Sequence, residues 1–191
     1  MKNRYYIVRH GRSEANQKKI IVSDPAIGTM AYSLTEEGRQ EVQSAISEMV
    51  ERGVFDGSTR IISSDFQRTR ETAEIIRAML EVETVHFEPR LRERYFGLLD
   101  GLSNSNYDAV WEADLVNPEH KNDDVESVYE VAMRVMELID ELEERHSNEN
   151  IVLVSHGDTL QILQAICTGH SPSQHRNINH IETGEIRKLM S

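Results

Sequence analysis

The chain has few of the residues on which disulfide-bonded, metal-rich and membrane-spanning proteins depend. Its single cysteine, Cys167, excludes an intramolecular disulfide and a metal site made of several cysteines. No apolar run approaches the ~20 residues that a membrane helix needs. The apolar stretch from Tyr5 to Val8 stops at Arg9 and is too short for a signal peptide. We therefore expect a cytoplasmic protein with no membrane span and no membrane partner.

Positive charge is scarce as well. Lysine and arginine total 21 against 33 aspartates and glutamates, so the formal net charge is -12. This balance disfavours partners held by broad electrostatic attraction, such as nucleic acid or an anionic membrane surface. A small basic pocket stays compatible with it, because net charge does not describe local arrangement. With 38% hydrophobic and 28% charged residues, residues 1–191 are expected to form a single globular domain.

Short apolar runs alternate with amphipathic stretches along the chain. The runs predict strands over residues 5–8, 60–62, 85–87 and 151–154, and the tail, residues 178–189, is expected to form two short strands around Thr183-Gly184. The amphipathic stretches predict helices over residues 35–53, 67–80, 108–115, 125–145 and 159–167. This alternation predicts a three-layer α/β fold, with a mostly parallel central sheet and helices on both faces.

Polar side chains follow three of the predicted strands. Residues 9–16 read Arg-His-Gly-Arg-Ser-Glu-Ala-Asn, residues 63–70 read Ser-Ser-Asp-Phe-Gln-Arg-Thr-Arg, and residues 155–159 read Ser-His-Gly-Asp-Thr. Ligands of such sheets bind beyond the carboxyl ends of the strands. Arginine forks match phosphate oxygens, glycines allow close backbone approach, and helix N-termini favour anions. A neutral histidine among them can attack phosphorus, so these segments predict phosphoryl chemistry.

Four segments carry a resemblance to a known family. They are Arg9-His10-Gly11 with Ser13 and Asn16, the stretch from Ser63 to Ala73, the stretch from Leu91 to Gly97, and Ser155-His156-Gly157. They resemble, in the same order, the motifs of the histidine phosphatase superfamily, also called phosphoglycerate mutase-like. Together they span most of the chain, so the resemblance implies the phosphoglycerate mutase-like fold.

The resemblance also implies a role for each matching residue. His10 would accept the phosphoryl group as a phosphohistidine, and Glu93 would protonate the leaving oxygen and then activate water. Arg9, Arg68 and His156 would clamp the phosphate oxygens, with a further hydrogen bond from Asn16. No metal or cofactor is expected, because these residues supply the positive charge that Mg²⁺ supplies elsewhere. The implied activity is that of a histidine acid phosphatase-like phosphomonoesterase.

Two other functions stay open. The family also contains phosphoglycerate mutases, which return the phosphoryl group to a second hydroxyl. They resemble this chain but carry a longer, more basic insertion before the second histidine motif. Here that region is short and acidic, with Lys121 facing Asp108, Glu112, Asp114, Glu119, Asp123, Asp124 and Glu126. Repulsion at the pocket rim would disfavour multiply charged sugar bisphosphates. The other alternative is a catalytically retired binding or scaffold module.

The substrate is expected to be a small-molecule phosphomonoester or a phosphoprotein, and the oligomeric state stays open. A metal site at His170, His175 and His180 is disfavoured, because their segment is not a regular element and no carboxylate cluster accompanies them. We expect these three to be scattered loop histidines.

Overall fold

The computed structural model describes residues 1–189, which build one five-stranded sheet. The strands are β1 (Arg4–Arg9), β2 (Arg60–Ser63), β3 (Val85–Phe87), β4 (Asn150–Ser155) and β5 (Ile186–Lys188). Their order across the sheet is β3-β2-β4-β1-β5, in which β1 to β4 pair in parallel and β5 pairs antiparallel with β1. The predicted mostly parallel sheet is confirmed.

Seven α-helices connect or cover these strands within the described residues. They are α1 (Glu14–Lys18), α2 (Pro25–Gly28), α3 (Glu36–Glu51), α4 (Gln67–Leu80), α5 (Tyr107–Val116), α6 (Val128–Arg145) and α7 (Gly157–Cys167). Short 3₁₀ turns occur between them, among them Pro89–Leu91 and Pro172–Asn177. Over residues 1–189, no helix is apolar and long enough to cross a membrane.

The sheet has a hydrophobic core on each face. Alternate residues of β1 point to opposite sides, as a strand requires. Tyr5 and Ile7 pack with the apolar residues of α6 and α7, whereas Tyr6 and Val8 pack with those of α3 and α4. The predicted three-layer arrangement is therefore confirmed, with both faces of the sheet covered.

Two helices begin at other residues than predicted. Helix α6 begins at Val128 and not near residue 125, because the Ser127 hydroxyl and the Glu130 carboxylate form a capping box there. Helix α7 begins at Gly157, directly after His156, and not at Thr159. The N-terminus of α7 therefore lies immediately beside the second histidine motif.

The prediction of two strands in the tail was wrong for the first of them. Only residues 186–188 pair with the sheet among the described part of the tail. The carbonyls of Asn179, His180 and Ile181 instead accept hydrogen bonds from the side chains of Arg187 and Arg9. Side-chain donors from distant segments thus replace the ladder partners of a strand.

Candidate active site

The sheet register brings the three polar segments to one edge. Arg9, the last residue of β1, pairs with Ser155, the last residue of β4, and the His10 amide donates to the Ser155 carbonyl at 3.1 Å. On the other side of β4, the amide of Ser64 donates to the carbonyl of Val154 at 2.9 Å. The expectation that these segments meet is confirmed.

His10 is buried at this edge, with 3% of its surface exposed. Its Nδ1 lies 2.8 Å from the carbonyl oxygen of Gly11, and its Nε2 accepts a hydrogen bond from Arg68 Nε at 3.0 Å. Because a carbonyl cannot donate, Nδ1 carries the proton and the lone pair is on Nε2. Burial, then the charges of Arg68 and Arg9, hold the pKa of His10 well below its usual 6.5. The ring is therefore neutral at pH 7, with a nucleophilic nitrogen.

Position 11 requires glycine, because the backbone at the start of α3 lies very close to it. A Cβ at Gly11 would lie 2.2 Å from the carbonyl oxygen of Gly38, at the start of α3. Real Cβ atoms essentially never come that near to backbone, so any larger residue would displace the loop. Glycine thus fixes the carbonyl that orients the imidazole.

Arg68 lies in the first turn of α4 and is 4% exposed. Besides its bond to His10, its Nη2 donates to the carbonyl of Val22 at 3.0 Å. Burial is the main cause that lowers the Arg68 pKa to about 10, so the group is a cation at neutral pH. A desolvated cation in contact with His10 is suited to hold a phosphate oxygen there.

His156 lies between β4 and α7, with its ring edge-on to that of His10 at a centroid distance of 5.3 Å. Its Nε2 is 2.9 Å from the hydroxyl of Ser64, a partner that we did not single out from the sequence. Burial, followed by the Arg68 charge, lowers the pKa of His156 well below 6.5.

Arg9 extends from the end of β1 toward the tail. Its Nη1 lies 2.8 Å from the carbonyl oxygen of Ile181 and 2.9 Å from Nε2 of His180. These contacts connect the guanidinium to the tail. His180 was expected to be a scattered loop histidine, whereas it contacts a predicted phosphate-binding residue.

The predicted clamp contains unsatisfied polar atoms. Among residues 1–189, four buried side-chain nitrogens lack a hydrogen-bond partner: Arg9 Nε, Arg68 Nη1, His156 Nδ1 and His175 Nε2. Three of them belong to Arg9, Arg68 and His156, the residues of the predicted clamp. An unpartnered buried donor costs about 1–3 kcal/mol, which an anion with several oxygens would recover.

Asn16 lies on α1, just after the His10 loop, and is half-buried. Its Oδ1 accepts from the backbone and hydroxyl of Ser13, at 3.0 and 2.8 Å, which completes a capping box. The side-chain carbonyl is therefore occupied, and the amide nitrogen is the group left to donate. A contact of Asn16 with phosphate stays a prediction.

Glu93 is half-buried beside the N-terminus of α7. Its Oε1 accepts from the backbone N–H of Arg94 at 3.0 Å, with the amide of Thr159 farther away at 3.4 Å. Burial, and then the negative charge of Asp158, raise the pKa of Glu93 above its usual 4.5. A carboxyl group that keeps its proton to higher pH is suited to donate it.

Arg94, the residue after Glu93, forms a buried ion pair that the sequence did not predict. Arg94 is fully buried and donates from Nη1 and Nη2 to the Asp114 carboxylate at 2.6 and 2.7 Å. His120 Nε2 lies 2.9 Å from the same carboxylate.

Glu126 pairs with Arg134 at 2.8 Å. The expectation that Asp114 and Glu126 repel substrates at the pocket rim was therefore wrong, since both are neutralised by internal arginines.

Asp158 is a second residue that we did not select. Its carboxylate accepts from Trp111 Nε1 at 3.1 and 3.0 Å and lies 3.6 Å from Arg94 Nη1. Burial alone would raise the Asp158 pKa, but His175 at 3.7 Å, Arg94 and Trp111 hold it far below its usual value. Asp158 is thus a fixed negative charge next to Glu93.

The three tail histidines are not equivalent. His175 is fully buried beside Asp158, His180 contacts Arg9, and His170 is exposed with Nδ1 3.0 Å from the Thr168 hydroxyl. The expectation of scattered loop histidines was wrong for His175, which packs in the 3₁₀ turn against α7. Within the described residues, no group of three or more His, Cys, Asp or Glu side chains is placed to hold a metal ion.

Comparisons with known proteins agree with this geometry. The sequence profile of the histidine phosphatase superfamily (branch 1) matches residues 5–190. A curated relative from Escherichia coli O1:K1 / APEC, named probable phosphoglycerate mutase GpmB, is 31% identical in an alignment of 172 residues that covers 86% of this chain and 74% of the relative.

Solved structures share the fold at lower identity. Bacillus stearothermophilus YhfR matches with a TM-score of 0.79 at 23% identity, over 96% of this chain and 89% of its own. A mycobacterial glucosyl-3-phosphoglycerate phosphatase matches with 0.78 at 23%, over 96% and 87%. The α-ribazole phosphatase of Shigella flexneri matches with 0.74 at 23%, over 96% and 88%. The chain therefore belongs to the histidine phosphatase superfamily, branch 1, and has the phosphoglycerate mutase-like fold.

Proposed function

We propose that the protein is a metal-independent phosphatase that hydrolyses phosphomonoesters through a phosphohistidine on His10. The observation that carries the proposal is that Arg9, Arg68 and His156 each have a buried nitrogen without a partner, while Arg68 contacts Nε2 of His10 and the ring of His156 lies 5.3 Å from that of His10. Donors without acceptors, around a neutral nucleophile, form a site for a tetrahedral anion.

The first step transfers the phosphoryl group to the protein. His10 Nε2 attacks phosphorus, the bond from phosphorus to the leaving oxygen breaks, and Glu93 gives its proton to that oxygen. Arg68 Nε, which donates to Nε2 in the free protein, would turn to a phosphate oxygen. Arg9 would neutralise charge on the other oxygens, the neutral His156 would donate a hydrogen bond to one of them, and Asn16 would add a further hydrogen bond.

The second step releases phosphate. The Glu93 carboxylate, now without its proton, takes one from a water molecule whose oxygen attacks phosphorus. The bond between phosphorus and Nε2 breaks, and His10 returns to the neutral form with its proton on Nδ1. The Gly11 carbonyl holds that proton throughout, so the ring keeps its orientation in both steps.

A phosphoglycerate mutase-type transfer is the second candidate, favoured by the name of the 31% identical relative. It shares the first step and differs in the acceptor, which would be a hydroxyl of the bound substrate and not water. The three solved structures compared above include two proteins named as phosphatases, and this supports hydrolysis. A retired scaffold is disfavoured, since His10, Glu93 and the clamp are all present.

Hydrolysis of p-nitrophenyl phosphate in the presence of EDTA, between pH 5 and 8, tests the proposal directly. We expect turnover that EDTA does not change, together with an acid-labile, alkali-stable phosphoenzyme. Labelling without phosphate release would favour the mutase. Absence of both, with aryl and alkyl esters alike, would contradict a phosphotransfer function.

Glu93→Gln should slow esters with poor leaving groups far more than activated ones. An alkoxide needs the proton of Glu93, whereas p-nitrophenolate leaves without it. We expect kcat to fall about 10²–10⁴-fold for an alkyl phosphate and about tenfold or less for the aryl ester. Exposed Glu83→Gln is the matched control. Equal losses on both esters would show that Glu93 only orders the site.

The pH profile of kcat/KM for an alkyl ester should be bell-shaped. Its acid limb reports protonation of His10 and should lie below pH 6.5, because burial lowers that pKa. Its basic limb reports ionisation of Glu93 and should lie above pH 4.5, because burial and Asp158 raise that pKa. Asp158→Asn removes the neighbouring charge, so the basic limb should move to lower pH; an unmoved limb would exclude this influence.

The substrate is proposed to be a small-molecule phosphomonoester, with a phosphoprotein as the other possibility. The free thiol of Cys167 is compatible with a reducing compartment, and the cytoplasm stays a prediction.

A further inference from the structure

Most arginines of this acidic chain lie within 4.0 Å of a carboxylate. Over residues 1–189, the arginines without such an ion pair are Arg4, Arg9, Arg68, Arg70 and Arg176. Arg9 and Arg68 belong to the proposed phosphate clamp. Most arginines of a protein with 33 acidic residues find a carboxylate partner. An arginine that has no such partner and lies near a ligand site is therefore available to an anionic ligand.

The guanidinium group of Arg176 stacks on the ring of Trp111. Its guanidinium carbon lies 3.7 Å from the centre of the Trp111 ring. Trp111 itself stacks on Tyr107, with ring centres 5.3 Å apart, and its Nε1 is anchored on Asp158. Stacking fixes the plane of the guanidinium before a ligand arrives, so little side-chain freedom would be lost on binding.

A chain of hydrogen bonds connects Arg176 with Arg9. Arg176 Nη1 donates to Oε1 of Gln161, which also accepts from Nδ1 of His180 at 3.0 Å. The Nε2 of His180 accepts from Arg9 Nη1 at 2.9 Å. His180 is therefore neutral, and one imidazole ring separates the two guanidinium groups.

The other nitrogens of Arg176 are free. Among the described residues, Nη1 donates its hydrogen bond to Gln161 and lies 3.4 Å from Nδ1 of His180, whereas Nε and Nη2 have no hydrogen-bond partner. The charges that act on this half-buried group are attractive from Asp158, Asp108 and Glu93 and repulsive from Arg9. None of the three carboxylates bonds to it.

We propose that Trp111, Gln161, Arg176 and His180 form a subsite that binds a carboxylate on the leaving-group side of the substrate. The inference rests on the proposed function, since it takes the phosphoryl group to lie on Arg9. The free Nε and Nη2 form a fork that matches a carboxylate in two parallel hydrogen bonds. A singly charged carboxylate suits the site better than a second phosphate, because the negative charges of Asp158 and Asp108 act on Arg176.

Two matched esters test the subsite: the phosphate esters of 3-hydroxypropanoate and of its amide, 3-hydroxypropanamide. They have the same size and leaving alcohol type, and differ in the charge at the far end. Affinity is measured by calorimetry in the His10→Ala background, which binds without turnover, and kcat/KM is measured in the intact protein. Each is repeated with Arg176→Gln and with Arg4→Gln, an exposed arginine that also lacks a carboxylate partner, at the opposite end of β1.

We expect the acid ester to be preferred about tenfold over the amide, in affinity and in kcat/KM. Arg176→Gln should bring the preference to about one by weakening the acid ester alone, and Arg4→Gln should leave it intact. An absent preference, absent binding of both esters, or equal weakening of both by Arg176→Gln would overturn the subsite. If binding shows the Arg176-dependent preference but neither ester is hydrolysed, the subsite stands and the phosphatase proposal fails. If both esters are hydrolysed without preference for the acid ester, the phosphatase proposal stands and the subsite fails.

Discussion

Replacing His10 with alanine should lower kcat for p-nitrophenyl phosphate by about 10⁴-fold or more, with the fold kept. The variant loses Nε2, the nitrogen whose lone pair would form the bond to phosphorus. The remaining clamp of Arg9, Arg68 and His156 can still bind an anion but cannot become phosphorylated at this position. The phosphoenzyme should therefore disappear together with turnover.

Stability should change little in this variant. The ring of His10 lies at a polar strand edge and not in either hydrophobic core, so water can occupy the space that it leaves. Circular dichroism and urea unfolding measure this. His86→Ala, at an exposed histidine on β3, is the matched control and should keep full activity. A folded His10→Ala protein that keeps its turnover would exclude a covalent mechanism through His10.

Replacing Asp114 with alanine should lower the free energy of unfolding by about 3–5 kcal/mol. The change leaves the fully buried Arg94 without the carboxylate that accepts hydrogen bonds from both of its terminal nitrogens. Asp158, 3.6 Å away, already accepts from Trp111 and is too distant for a good hydrogen bond to Arg94. A loss of this size is a large part of the 5–15 kcal/mol that stabilises a typical domain.

Two further variants keep this prediction testable if Asp114→Ala does not fold. Glu48→Ala removes the partner of Arg52 from an exposed pair at the C-terminal end of α3 and should change stability by less than about 1 kcal/mol. The double change Arg94→Met with Asp114→Leu removes both charges, so it should be more stable than Asp114→Ala alone. An Asp114→Ala protein within about 1 kcal/mol of the unchanged chain would show that Arg94 finds other partners.

The two variants distinguish loss of catalysis from loss of stability. His10→Ala removes the reacting atom and should leave unfolding unchanged, whereas Asp114→Ala weakens the structure behind Glu93. The backbone N–H of Arg94 is the donor that positions Glu93 Oε1, so loosening Arg94 should also reduce activity on alkyl esters. Activity lost in both variants, but stability lost only in the second, is the expected combined result.

Most of the architecture could be predicted because its signals are local. An apolar run such as Ile151 to Val154 makes a buried strand in any parallel sheet, and a polar or glycine residue ends it. The tail could not be predicted in the same way. Residues 178–182 include two isoleucines, but the carbonyls of residues 179–181 accept hydrogen bonds from the side chains of Arg9, distant in the chain, and Arg187, later in the tail.

The sequence by itself determined the parallel strands and the meeting of Arg9, His10 and His156, because parallel strands end at one edge and each motif directly follows a strand. Only the tertiary structure decided which charged side chains pair with one another. The pairing of Arg94 with Asp114, the anchoring of Asp158 on Trp111 and the placement of Arg176 join residues from separate loops and helices. Hydrophobic period reports which face of an element is buried, but charge pairing and stacking depend on distance in space and leave no period in the chain.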